Sequence, residues 1–188
     1  MKKERKGFTL IETLIAVAIL AVALASFISI VLLGRQSFQT AKERYLAVKM
    51  AQEGMELAIN KRDNHVICMR SGPCPLSDWK QNLIGSGGGV GRWEVDATNV
   101  EDLRAEPGHR FRPFNPGNYI CFKTQPQEHQ GKFGYCTGQE TPIPGNYTRE
   151  VNISSAAPNR ILVKSIVTWQ GRSFSRTITL EEVLFGLP

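Results

Sequence analysis

The sequence predicts an α+β fold: a long N-terminal α-helix packed on a C-terminal antiparallel β-sheet. Three observations predict it. Residues 8–33 form an unbroken apolar run, and apolar residues behind that run recur at spacings of three and four. Two long runs of alternating character, 160–169 and 172–184, lie two residues apart near the C-terminus. A chain of 188 residues suits one globular domain plus an anchor.

The apolar run comes first. Its 26 residues contain no Lys, Arg, Asp, Asn, Gln, His, Gly or Pro, and Glu12 is its one charge. As a helix it would extend about 39 Å, more than a hydrocarbon core of ~30 Å. Sixteen of the residues are Leu, Ile, Val or Phe, and they favour the bilayer by roughly 5–10 kcal/mol. A carboxylate at the centre of a span costs ~2.5–3.5 kcal/mol, and less near its edge, where Glu12 lies. Insertion wins. Lys2, Lys3, Arg5 and Lys6 precede the run, whereas only Arg35 follows closely. The positive-inside rule therefore puts the N-terminus in the cytoplasm and the rest of the chain outside. A cleaved secretory signal is disfavoured, because its apolar core would be ~7–15 residues and end at a small-residue site.

Behind Gly34 the apolar positions Phe38, Ala41, Tyr45, Val48, Ala51, Met55, Ala58 and Ile59 predict one amphipathic helix over 34–62, with that stripe facing a sheet. A coiled coil would need sustained heptads, which are missing. Gly34 and Gly54 are its weak points, each ~1 kcal/mol less favourable than Ala. Residues 64–92 read as loop, with Ser71-Gly72-Pro73 and a glycine run over 85–91. That run lacks the Lys-Ser/Thr pair of a phosphate cradle and reads as a surface loop. Strands are expected at 93–95, 119–123, 132–136 and 147–154, followed by a hairpin turning at Gln170-Gly171.

Cys68, Cys74, Cys121 and Cys136 all follow the apolar run, so they would face an oxidising compartment. The simplest pairing is sequential, Cys68–Cys74 and Cys121–Cys136, although four cysteines allow three connectivities. CxxC-type spacing for zinc is missing, and no metal or other cofactor is expected. His65, His109 and His129 stand apart in polar stretches, without a catalytic grouping, so no enzyme activity is expected. The net charge of +6 falls to +3 once residues 1–7 are removed, which gives little support to nucleic-acid binding. A weaker alternative interleaves Phe111, Phe114, Tyr119, Phe122, Phe133 and Tyr135 with Arg104, Arg110, Arg112, Lys123 and Lys132 as a DNA-binding face.

The junction Lys6-Gly7-Phe8-Thr9-Leu10-Ile11-Glu12 resembles the prepilin signature of type IV pilins and type II secretion pseudopilins. The resemblance implies that a prepilin peptidase cuts Gly7–Phe8 and methylates the Phe8 amine, and that Glu12, with Thr9, serves assembly. It also implies a leader over 1–7, an assembly helix over 8–33, its amphipathic continuation over 34–62 and a β-rich head over 63–188. Implied partners are the peptidase, other pilin subunits, an inner-membrane assembly platform and membrane lipid. Implied locations are the inner membrane and then a pilus or pseudopilus. The likeness is close over about 20 residues. It is softer over 51–63 and over 161–184, which looks like the closing hairpin of minor pilins, and residues 63–158 match nothing. Glu12 is four residues from Phe8 on one helical face, so a freed Phe8 amine, its own or a neighbour's, would answer the carboxylate. The alternatives are a type II secretion pseudopilin, a competence pilin, or, in another class, a single-pass anchored ligand-binding protein.

Overall fold

The computed structural model describes residues 9–72, 74, 79–84, 91–95, 111–123, 133–136, 140–157, 159–171 and 173–186. Gly7 and Phe8 lie outside the described residues, as do His109, His129, Arg104, Arg110, Lys132 and residues 85–90 of the glycine run. The chain divides into two compact units, Met1–Arg44 and Tyr45–Pro188. Its first element, α1 (Leu10–Ser71), contributes to both.

In the first unit, α1 is capped by Thr9. The Glu12 amide donates to the Thr9 carbonyl at 3.1 Å and to its Oγ1 at 3.4 Å. Within α1 the hydroxyls turn back on the helix. Thr13 donates to the Leu10 carbonyl at 2.8 Å, Ser26 to Val22 and Ser29 to Ala25, both at 3.0 Å. Beyond its first turn, a helix with its backbone and hydroxyls bonded internally suits hydrocarbon. Its best 18-residue window has a mean hydropathy of 2.9 and none of it is buried.

In the second unit, α1 packs on a five-stranded antiparallel sheet of order β2-β1-β5-β6-β7. The strands are β1 (Gly91–Glu94), β2 (Arg112–Pro113), β5 (Thr148–Ala157), β6 (Arg160–Gln170) and β7 (Ser175–Phe185). A separate two-stranded sheet joins β3 (Ile120–Phe122) to β4 (Phe133–Tyr135). The α+β class is as predicted. Every second residue of β6 (Ile161, Val163, Ser165, Val167, Trp169) is buried towards α1. Two clusters form the core. Met55, Leu57 and Ala58 meet Val151, Ile153, Ile161, Val163 and Leu184, while Ala47, Met50 and Ala51 meet Ile120, Tyr147, Val167 and Trp169.

Four expectations change. First, α1 runs nine residues past Arg62, to Ser71. The polar run that reads as a stop contains His65, which is buried, as is Lys61 one turn earlier. The helix ends only before Gly72, whose φ of 151° suits a residue without a Cβ. Second, residues 79–84 form a short helix, α2 (Trp79–Ile84), which sends Leu83 into the core. Third, the buried face of α1 is Ala47, Met50, Ala51, Gly54, Met55, Leu57, Ala58, Lys61 and His65, so Ala51, Met55 and Ala58 of the predicted stripe are buried as expected. Phe38 and Tyr45 are exposed. The buried face is shifted from the predicted stripe towards Ala47, Met50, Gly54 and Leu57, and at Gly54 the α1 backbone comes close to Ser165 and Arg149. Fourth, the last hairpin turns through 171–174, not Gln170-Gly171: Gln170 pairs with Ser175, and the Gly171 amide donates to the Phe174 carbonyl at 3.0 Å. Phe174 is consequently exposed, while Ile178 and Leu180 pack against the core.

A buried cation joins these layers. Arg149, on β5, is fully buried and donates from Nη1 to the Met50 carbonyl (3.2 Å) and to Glu53 Oε2 (2.8 Å), both on α1, and from Nη2 to the Val95 carbonyl. The Tyr135 hydroxyl donates to the Arg149 carbonyl at 2.8 Å, tying the small sheet to the same point. Burial is the main cause that pushes the Tyr135 phenol up to about 12, with Glu94 adding to it and Arg149 opposing. A raised folded-state value means that the unfolded chain ionises first, from about pH 10. This group's contribution is therefore complete below pH ~10 and lost as pH rises towards 12, by roughly 2–3 kcal/mol. Urea titrations between pH 8 and 11.5 should show this alkaline loss, and Tyr135→Phe should remove that part of the slope.

Candidate assembly site

The residues singled out at the N-terminus divide at the edge of the described chain. Thr9 and Glu12 are described, whereas Gly7 and Phe8 are not, so the junction's geometry is seen from its helical side only. Thr9 takes the N-cap position and Glu12 the third helical position, the arrangement of a capping box. Glu12 is exposed, and it makes no ion pair or hydrogen bond through its carboxylate with any described residue. Leu10, Ile11, Leu14 and Ile15 around it are between 56% and 78% exposed, so among the described residues the acid is flanked by an apolar surface. The favourable field of a helix N-terminus acts on the same carboxylate. The first-turn position stabilises the charged carboxylate, and the apolar surroundings favour a positively charged partner for it.

In the second unit the four cysteines form Cys68–Cys74 and Cys121–Cys136, with Cα atoms 5.4 and 5.1 Å apart. The first closes the end of α1 onto residue 74, and the second links β3 to the residue after β4. Closing a ~15-residue loop contributes ~3 kcal/mol in the chain-entropy model. The small sheet is also held by Ile120 and Tyr135, which are buried in the core, so this bond adds to that packing. Among the described residues, no group of three or more His, Cys, Asp or Glu is arranged to hold a metal.

The aromatic residues weighed as a DNA-binding face separate. Phe111 and Tyr135 are buried in the core, and Lys123 is buried against the Tyr135 carbonyl and Glu140, 2.7 Å from each. Phe122 and Phe133 lie edge-to-face with centroids 5.8 Å apart. Together with Leu46 and the 141–144 loop they line an apolar cavity of about 440 Å³. Sequence reasoning missed that cavity and also Arg149. An arginine in phase with Tyr147, Val151 and Ile153 was the signal for the latter.

A family model described as a prokaryotic N-terminal methylation motif matches residues 2–28. No curated protein and no solved structure matches the chain. The matched span contains the basic leader, Gly7, Phe8, Thr9 and Glu12 together with most of the exposed apolar half of α1. The chain thus carries the type IV pilin and pseudopilin signal at the start of an apolar helix that leads to an antiparallel sheet.

Proposed function

We propose that this chain is a non-enzymatic structural subunit, of the minor kind, of a type IV pilus or pseudopilus. In this reading a prepilin peptidase cleaves between Gly7 and Phe8 and methylates Phe8. The subunit then joins other pilin subunits through residues 8–33 at an inner-membrane assembly platform. The head lies on the extracytoplasmic side, where its two disulfides are stable. One observation carries the proposal: the methylation motif over 2–28 holds a basic stretch ending at Gly7 ahead of an exposed acid with no described partner, Glu12. Lipid disfavours a lone carboxylate, and cleavage creates an amine four residues away. An amine supplied by a neighbouring subunit would fix the axial register between the two. The minor assignment rests on the closing hairpin, β6 and β7, and on the insertions of the head.

Mass spectrometry of the mature chain tests the first half. An N-methylated Phe8 terminus is expected, and an intact Met1 or a cut near Gly34 would sink the proposal. For the second half, Glu12→Ala should still be cut after Gly7 yet enter filaments at least tenfold less than wild type. Equal incorporation would remove Glu12 from assembly, and absence of the wild-type chain from filaments would favour a single-pass anchored protein that does not assemble.

A further inference from the structure

We propose that the end of the 45–188 unit formed by Tyr45, the 141–146 loop and the 171–174 hairpin loop docks on a bilayer surface containing anionic lipid. The inference rests on the anchoring half of the reading above and not on cleavage or assembly.

These parts meet at one end of the sheet. The Gln170 amide donates to the Gly145 carbonyl at 2.7 Å, Tyr147 stacks on Trp169, and Ala47 and Met50 pack in the same cluster. Three aromatic residues project there: Tyr45 at 60% exposure, Phe122 at 51% and Phe174 at 60%. Phe122 also lines the apolar cavity, together with Leu46, Phe133 and the 141–144 loop. Two of the aromatics carry a cation, Lys49 at 5.8 Å from the Tyr45 ring and Arg176 at 5.1 Å from the Phe174 ring. The acid nearest the cavity, Glu140, is neutralised by Lys123 at 2.7 Å. Exposed aromatics with cations beside them suit the headgroup region: rings enter the interface, and the charges remain with phosphate.

A tether selects the occupant. Tyr45 is joined to the candidate span by residues 34–44, which extend at most ~40 Å even when fully stretched. A surface held that close to a bilayer experiences it at an effective concentration on the order of millimolar, so a weak affinity suffices. At the opposite end of the sheet Arg160 lies over Phe185, 5.3 Å from the ring.

Spin labels on the full-length chain, one copy per nanodisc, test this. A nitroxide at Ser173→Cys should be at least fivefold less accessible to an aqueous nickel reagent than one at Asn159→Cys, while staying accessible to oxygen. Phe122→Ser with Phe174→Ser should equalise the two sites. Replacing Lys49 and Arg176 by Gln, or removing phosphatidylglycerol from a phosphatidylcholine disc, should reduce the difference at least twofold. Four outcomes would overturn the proposal: equal accessibility at both sites, loss of both nickel and oxygen access at 173 (which reports protein contact), a difference seen only with two copies per disc, or indifference to the variants. None of these depends on whether Gly7–Phe8 is cut.

Discussion

Replacing Arg149 by methionine should destabilise the 45–188 unit by about 3–5 kcal/mol, the usual effect of breaking a buried charged pair from one side. The side chain is fully buried and reaches α1 and Val95 together. Its loss would remove a donor from the Val95 carbonyl and leave Glu53, whose side chain is 22% exposed, without its cation. The ion pair itself is a poorer source of stability than its partners suggest, because desolvating a guanidinium offsets most of the attraction. A second variant separates these effects. Arg149→Met combined with Glu53→Met removes both charges and should recover about 1–2 kcal/mol of the loss, measured by urea titration with both disulfides intact. If the single variant unfolds no earlier than wild type, the arginine does not hold the helix to the sheet.

Gly54 should behave opposite to its helix propensity. In an exposed helix, Gly→Ala would stabilise by ~1 kcal/mol. Here a Cβ would lie 2.6 Å from Ser165 Oγ, 2.9 Å from Arg149 Cδ and 3.4 Å from Val151 Cγ2. Ser165 is buried but its hydroxyl can rotate, whereas the Arg149 methylene is fixed by the bonds at its guanidinium. Gly54→Ala should therefore lower stability by about 1 kcal/mol. Gly54→Leu should lower it by about 3 kcal/mol, near the upper end of overpacking effects. Because both substitutions press on Arg149, their effects should not add to that of Arg149→Met. Thermal unfolding of the three single and two double variants checks this, and a Gly54→Leu protein as stable as wild type would show that α1 stands further from the sheet.

The contrast between these residues explains how much was legible beforehand. The apolar run, the leader junction and the long strands β5, β6 and β7 were readable because each depends on a local repeat. The shift in the buried face of α1 was not. Spacings of three and four fit two neighbouring stripes, and choosing the larger side chains selects the one with Phe38 and Tyr45, both exposed in the structure. What decides is the close approach permitted by Ala47, Ala51, Gly54 and Ala58, and this depends on the partner sheet. The extension to Ser71 was hidden for a similar reason, since Lys61 and His65 read as solvent-facing until the core that encloses them is known. The edge strand β2 spans two residues and includes Pro113, too little for any periodic signal. At the N-terminus, Glu12 was legible as an anomaly of composition, and Thr9 as its cap only once the backbone was in view.

The inward-turned hydroxyls of Thr13, Ser26 and Ser29 carry a thermodynamic consequence. A segment whose polar atoms already satisfy one another surrenders no hydrogen bond on leaving fatty chains and gains none on meeting another helix. Dispersion forces are similar in either medium, so the exchange is close to isoenergetic over nearly its whole length. Direction must then come from the single group that differs between the two surroundings. A polymer built from such rods would be held by many weak, interchangeable contacts and steered at one point.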